Sequence, residues 1–319
     1  MERIAVITSG GDSQGMNTCL YNLVKCALIN DVEIYGFMRG YQGIIDNDYI
    51  KLDFEFVKNV INMGGSCLKT ARSKEFMTDE GKQKALNNLK ALGINTLICI
   101  GGDGSFRGCL ELIKLGVNCI GIPGTIDNDL NYTNKTLGFD TAVNNATQAI
   151  SDIMETMRAN NRLCIVEVMG RHCGDIALTC AVASHADIAL IPEVPFTKED
   201  VLNQVKELIA RGNRHPTIVI AENQIDLNDF ANFIQAGVDV EVKSCVLGYI
   251  QRGGKPTVDD RLLAMQFAVC AIKCVLDKIY NVAIGIQNNK VITTDIENAI
   301  KAKSDFNYEL YSLFTYLND

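Results

Sequence analysis

Two short stretches hold the residues that could do chemistry. Gly101-Gly102-Asp103-Gly104 closes an apolar run from Thr96 to Ile100 and leads into the helical spacing of Phe106, Leu110 and Ile113. A strand that ends on a glycine elbow and opens a helix offers backbone N–H groups and the positive end of the helix dipole to an anion. This predicts phosphate binding. Asp103, itself an anion, is poorly suited to touch phosphate directly, so its expected use is to hold magnesium through water. In the second stretch, the predicted strand Val117 to Ile122 ends at Pro123-Gly124 and delivers Thr125, Asp127 and Asp129. In an extended segment Asp127 and Asp129 would face one site, with Ile126 and Asn128 turned away. One carboxylate could take the proton of a hydroxyl nucleophile while the other positions it or the metal. Each stretch alone has a plainer explanation, a tight turn or a polar surface loop. At the ends of neighbouring predicted strands, together they favour phosphoryl transfer.

The elements that must position these residues repeat one pattern. Ile4 to Thr8 is an apolar run that breaks into Ser9-Gly10-Gly11-Asp12, then Gly15-Met16-Asn17, and continues with helical spacing through Leu20, Leu23, Val24 and Leu28. Two such elbows imply a parallel sheet whose strand ends share one crevice. Neither elbow has the GxGxxG dinucleotide spacing, and GxxxxGK[ST] does not occur, which disfavours a nicotinamide dehydrogenase and a P-loop ATPase. Val32 to Phe37 reads as a strand, with Arg39 to Gly43 as the loop after it. Gly64 to Arg72 is a glycine-rich loop carrying Arg72, a cation for a transferring phosphoryl group. Phe139 to Arg158 has steady three-or-four apolar spacing and predicts one amphipathic helix bridging to a second domain.

Beyond it, Leu163 to Met169 reads as a strand ending in Met169-Gly170-Arg171-His172, with a helix from about Asp175. Asp187 to Ile191 and Thr217 to Ala221 repeat the strand pattern, the latter ending in Glu222. Gln251-Arg252-Gly253-Gly254 opens a helix through Leu262, Leu263, Met265 and Val269. Arg162, Arg171, Lys243 and Arg252 lie at strand ends or beside glycines, which predicts a phosphate-binding cluster rather than four unrelated surface charges.

Composition sets the bounds. The chain has 319 residues, 47% hydrophobic and 21% charged, with a formal net charge of −8. The length suggests two domains, and the acidic balance argues against nucleic acid or a membrane surface as partner. Its 12 cysteines fall largely inside apolar runs without a CxxC pair, and its His count is 3. They read as reduced thiols of a cytoplasmic protein, with weak support for zinc. The chain enters a strand at once through Arg3 to Ile7, and no apolar run reaches membrane-spanning length, so a signal peptide and a membrane span are not expected.

With these motifs assembled, the sequence resembles the bacterial type of ATP-dependent 6-phosphofructokinase. The resemblance covers nearly the whole chain, through ITSGGDSQGMN, TARSKEF, GGDGS, PGTIDND, VEVMGRHCGD, PEV, GYIQRGG and GIQNN. It implies two Rossmann-like three-layer α/β/α domains with mainly parallel sheets and the active site in the cleft between them. Residues 1–138 plus 252–304 would form the larger ATP-binding domain, and 139–251 plus 305–319 the smaller sugar-phosphate domain.

The resemblance also implies roles. Asp127 matches the general base, Asp103 the magnesium-linked carboxylate, and Thr125, Asp129, Arg72 and Arg171 the groups that position reactants or stabilise charge. Gly11, Tyr41, Arg72, Ser73, Gly102, Gly104, Ser105 and Gly108 match the ATP site. Met169, Gly170 and Glu222 match sugar contacts. Arg162, Lys243, Tyr249 and Arg252 match the site of the sugar 6-phosphate, the first two reaching over from a neighbouring subunit of a homotetramer. Pyrophosphate-dependent relatives carry Asp after the GGD and Lys before the TIDND; Gly104 and Gly124 therefore favour ATP.

Lys243 stands where the family usually has Arg, and Tyr249 where it has His, which opens an alternative acceptor such as tagatose 6-phosphate or sedoheptulose 7-phosphate. At the family's effector site Tyr21, Phe54, Met154 and Asn213 replace basic residues, leaving Lys25, Arg211 and Arg214 with Asp187. The expectation is weak control by ADP and phosphoenolpyruvate. A non-catalytic nucleotide or sugar-phosphate sensor would be expected to lack Asp103, Asp127 and Asp129, and all three are present.

Overall fold

The computed structural model describes residues 2–303 and 306–318. In chain order its strands are β1 (Glu2–Thr8), β2 (Val32–Phe37), β3 (Tyr49–Lys51), β4 (Thr96–Gly101), β5 (Asn118–Thr125) and β6 (Leu137–Gly138). They continue with β7 (Arg162–Val168), β8 (Ile188–Leu190), β9 (Thr217–Ala221), β10 (Glu241–Val246), β11 (Val282–Gln287) and β12 (Lys290–Asp295). The helices are α1 (Met16–Ile29), α2 (Tyr41–Asp46), α3 (Phe54–Lys58), α4 (Asp79–Ala91), α5 (Asp103–Lys114) and α6 (Phe139–Asn160). After them come α7 (Asp175–Ser184), α8 (Lys198–Ala210), α9 (Leu227–Gly237), α10 (Val258–Leu276), α11 (Ile296–Lys301) and α12 (Tyr308–Asn318). The chain divides into two compact units, Met1–Thr141 with Arg252–Ser304 and Ala142–Gln251 with Asp305–Asp319.

The first unit is built on a sheet ordered β12-β11-β5-β4-β1-β2-β3, with β6 paired to β5. Its pairings are parallel except in the β11–β12 hairpin and between β2 and β3, which pair antiparallel across the intervening α2. The central strands β1, β4 and β5 are buried on both faces along most of their length and read as near-continuous apolar runs, while the outer strands β2, β3 and β12 are partly exposed. Ile4 and Val6 of β1 enter a core shared with α1 and α10, while Ala5 and Ile7 enter the opposite core beneath α4 and α5. Ile98 and Ile100 divide from Leu97 and Cys99 in the same way on β4. The parallel β1–β4 register, from Ile4↔Thr96 to Thr8↔Ile100, brings the two elbows together at the C-terminal ends of these central strands, where the Ser9 N–H donates to the Ile100 carbonyl at 2.9 Å.

The second unit carries a parallel sheet ordered β10-β7-β9-β8. Leu163, Ile165, Ile218 and Ile220 pack on one face against Val201 and Val205 of α8 and Phe230 and Ile234 of α9. Helix α7 packs against β8 and β9. The class is α/β with mainly parallel sheets, as the strand and helix patterns require.

Several local expectations need correction. The segment after β2 is not all loop, because Tyr41–Asp46 forms α2, a helix too short to show a periodicity. β5 does not stop before Pro123-Gly124 but runs on to Thr125. Proline is tolerated there because β11 pairs with β5 only at Ile120 and Gly121, so the Pro123 nitrogen lies beyond that ladder. The helix after Gln251–Gly254 begins only at Val258, where Thr257 caps it by accepting the Asp260 N–H at 3.3 Å. Leu262 and Met265 on that helix are exposed, and its core face is Leu263, Ala264, Phe267 and Ala268. All 12 cysteines are free thiols. Among the described residues no helix is long and apolar enough to cross a membrane.

Candidate active site

In the first unit the glycine elbow and the acidic turn lie side by side, because β4 and β5 are parallel neighbours in register from Thr96↔Asn118 to Gly101↔Pro123. Gly102 is the extended N-cap residue of α5, and Gly104 in its first turn faces open space. A Cβ built on Gly102 would lie only 3.7 Å from the Cβ of Thr125. The two motifs therefore border one small region of surface. Ser105 lies under the elbow, with its Oγ 2.4 Å from where a Cβ on Gly101 would be.

Tyr41 supports α5 from beneath. Its hydroxyl donates to the Ser105 carbonyl at 2.6 Å, its ring stacks on Phe76 at 4.2 Å, and the side chain is 6% exposed. Its ring lies where a Cβ on Gly108 would fall, which explains glycine at that position. Asp103 is held from its own helix, with Arg107 Nε donating to Oδ2 at 2.8 Å. Ser73 donates to Gln42 at 2.7 Å and accepts the Phe76 N–H, pinning the loop on which Arg72 stands exposed.

The turn after β5 is not extended. Asn128 adopts φ 53°, a left-handed conformation that Asn tolerates, so the two-residue alternation expected for Asp127 and Asp129 does not hold. Asp127 is buried, 8% exposed, and its N–H donates to the Thr125 hydroxyl at 3.2 Å. Asp129 is half-buried beyond the kink. Thr136 donates to the Thr125 carbonyl at 2.6 Å and braces the turn from behind. At the first elbow, Arg252 Nη1 donates to the Asp12 carbonyl at 2.9 Å, and the guanidinium lies over Gly11.

In the second unit the loop after β7 wraps one carboxylate. Glu222 Oε1 accepts the N–H groups of Gly170 at 3.3 Å and Arg171 at 2.8 Å. Gly170 at φ 142° and Arg171 at φ 60° make the turn that brings both N–H groups there. Buried Gln251 accepts the Met169 N–H at 3.0 Å. Arg162 and Lys243, on adjacent strands, both pair with Glu241, at 2.5 and 2.6 Å. Tyr249 is 84% exposed.

Of the residues expected at an effector site, Tyr21, Phe54, Asp187, Asn213 and Arg214 contact other side chains or backbone of the chain. Tyr21 and Phe54 form a ring pair at 5.8 Å, with Lys25 exposed one turn further along α1. Asp187 accepts Asn213 Nδ2 at 2.8 Å and the Thr217 N–H at 2.7 Å, and burial raises its pKa. Arg214 pairs with Asp239 at 2.9 Å. Met154 is half-buried on α6, and Arg211 lines a cavity of 360 Å³ with Asp187.

Sequence reasoning missed Glu241, Gln251 and Asp260. Glu241 stands two residues before Lys243 on one strand, so a shared face was readable. Asp260 closes a Thr257-x-x-Asp260 capping pattern. Nothing local signals Gln251.

A profile described as Phosphofructokinase matches residues 3–275. The ATP-dependent 6-phosphofructokinase of Paenibacillus macquariensis is 44% identical over 314 residues, covering 98% of both chains. The enzyme of that name from Clostridium botulinum is 42% identical over 318 residues, covering 100% of both. The solved phosphofructokinase of Saccharomyces cerevisiae superposes with a TM-score of 0.91 at 30% identity, covering 98% of this chain and 50% of its own. Family profile, full-length relatives and fold agree, and the chain belongs to the phosphofructokinase family.

Proposed function

We propose that this chain is an ATP-dependent 6-phosphofructokinase of glycolysis. It transfers the γ-phosphoryl group of ATP to the 1-hydroxyl of fructose 6-phosphate, giving fructose 1,6-bisphosphate and ADP. The observation that carries this reading is the open helix N-terminus at Gly102 to Gly104 beside the turn that holds Thr125 and buried Asp127. One suits phosphates, the other a proton acceptor.

Asp127 takes the 1-hydroxyl proton as that oxygen bonds to the γ-phosphorus, and the bond to the bridging oxygen breaks with its electron pair leaving on ADP. Thr125 and Asp129 orient the hydroxyl and the base. Arg72 and Arg171 balance the charge on the transferring group. Gly11, Ser73, Gly102, Gly104, Ser105 and Gly108 hold the nucleotide, with Tyr41 fixing α5 under it. Arg162, Lys243, Tyr249 and Arg252 hold the sugar phosphate, and Met169, Gly170 and Glu222 its ring.

Magnesium fits this donor set. Asp103 is a single, one-third exposed carboxylate beside an open helix N-terminus, and magnesium keeps much of its water while taking one or two carboxylates and substrate phosphates. Bound there, it would neutralise charge on the β- and γ-phosphates. Among the described residues no three or more His, Cys, Asp or Glu form a metal cage, which suits an ion carried in with nucleotide.

ATP is the better donor than pyrophosphate. A side chain on Gly104 would enter the open space at the helix start, and one on Gly124 would press on Ile100 at 3.0 Å and Met16 at 3.1 Å. Exposed apolar residues at Val246, at the end of β10, and at Tyr249 and Ile250 just after it support a homotetramer in which neighbours contribute Arg162 and Lys243. Free thiols support a reducing, cytoplasmic setting. The engaged Asp187, Arg214, Tyr21 and Phe54 support weak control by ADP and phosphoenolpyruvate; a sigmoidal sugar response relieved by micromolar ADP would contradict that part.

Initial rates with magnesium, ATP and fructose 6-phosphate, coupled through aldolase, test the function. Saturable formation of fructose 1,6-bisphosphate is expected, with little from pyrophosphate. A better rate on tagatose 6-phosphate or sedoheptulose 7-phosphate would move the assignment to another acceptor, with Lys243 and Tyr249 as the cause.

A further inference from the structure

Arg162 and Lys243 share one carboxylate. Glu241 lies opposite Arg162 in the β10–β7 register and two residues before Lys243, so all three side chains meet on one face. Arg162 Nε donates to Oε2 at 2.5 Å and Lys243 Nζ pairs with Oε1 at 2.6 Å. Each carboxylate oxygen serves one cation. Lys243 first, then Arg162, hold the Glu241 carboxyl below the usual carboxylate range, so it stays ionised at neutral pH.

Two cations converging on two oxygens of one planar anion is also the arrangement that would grip two oxygens of a phosphate monoester. We propose that Glu241 is an affinity-setting residue, an internal anion that occupies the two cations and must be displaced by the phosphate group of the sugar. The inference rests on the reading of Arg162 and Lys243 as sugar-phosphate ligands. The exchange is physically easy. All three side chains are between a third and a half exposed, and ion pairs so exposed are weak. A sugar phosphate near pH 7 carries almost two charges against one on the carboxylate. Glu241 therefore sets how much sugar phosphate is needed without preventing its binding.

A purely structural tie makes the opposite prediction. If Glu241 only held the cations in place, its loss would weaken sugar-phosphate binding.

The test is Glu241→Gln, which keeps the shape and removes the charge. The dissociation constant for fructose 6-phosphate, read by calorimetry, is expected to fall about three- to tenfold, as is expected when a competing charge is removed from a pair of cations. KM for the sugar should fall with it, while KM for ATP and the melting temperature hold. Glu241→Asp, still charged, should stay closer to the parent. An unchanged or higher dissociation constant in Glu241→Gln overturns the proposal. Inorganic phosphate serves as a second probe. If the parent enzyme does not phosphorylate fructose 6-phosphate, the functional reading fails alone, and tighter phosphate binding by Glu241→Gln still supports the competition. Phosphate binding by neither protein overturns it.

Discussion

The guanidinium of Arg252 lies over the α-carbon of Gly11. Its Nη1 donates to the Asp12 carbonyl at 2.9 Å and sits 2.4 Å from where a Cβ at position 11 would be. The first elbow thus does more than turn the chain. It seats a cation that the sugar phosphate is expected to use.

Gly11→Ala should therefore act on substrate binding rather than on folding, because the obstructed atom is the far end of a flexible side chain. Losing one charged hydrogen bond, worth about 1.5 to 3 kcal/mol, corresponds to roughly a tenfold or greater rise in KM for fructose 6-phosphate. The melting temperature should shift by no more than a few degrees. A large stability loss with unchanged KM would contradict this role for the glycine.

Gly104→Asp tests the nucleotide site. Nothing in the protein stands within 4 Å of a Cβ there, so the variant should fold normally. Its carboxylate would face bound nucleotide phosphates, and KM for ATP should rise by about tenfold or more, which equals about 1.4 kcal/mol per decade. Steady-state kinetics at saturating sugar phosphate would show it. An unchanged KM for ATP would remove the α5 N-terminus from the nucleotide site.

Asp260 gives a pH dependence of stability. It accepts the Gly138 N–H at 2.7 Å and the Thr141 N–H at 2.9 Å, and bonds the Thr141 hydroxyl, fastening the start of α6. Burial pushes its carboxyl from 3.8 up to about 6 despite those bonds. With the folded value raised, its contribution is fully present below the unfolded value and is lost as pH rises through about 6. Between pH 5 and 7.5 the stability gap between the parent and Asp260→Asn should change by about 1 kcal/mol in favour of the acid side. Urea titrations at the two pH values measure it, and a constant gap would contradict the assignment.

The legible part of the molecule was set by burial. β1, β4 and β9 lie between covered faces, so each is an unbroken apolar run whose end could be read within a residue or so. The elbows were legible because glycine and aspartate in that order have few other uses beside such runs. What escaped depended on neighbours far along the chain. The turn at Asn128 depends on the brace from Thr136, and α2 packs through Tyr41 against α5. Pro123 inside β5 was legible only from where β11 stops pairing. Glu241 was passed over because it reads as an ordinary exposed charge until β7 is placed beside it.

The most direct measurement compares turnover and binding in Asp127→Ser. Removing the base should lower kcat by roughly 10²- to 10⁴-fold. Calorimetric dissociation constants for ATP and fructose 6-phosphate should stay within a few fold of the parent. Turnover near the parent's, with both substrates still bound, would take the base role away from Asp127 and with it the mechanism proposed for this site.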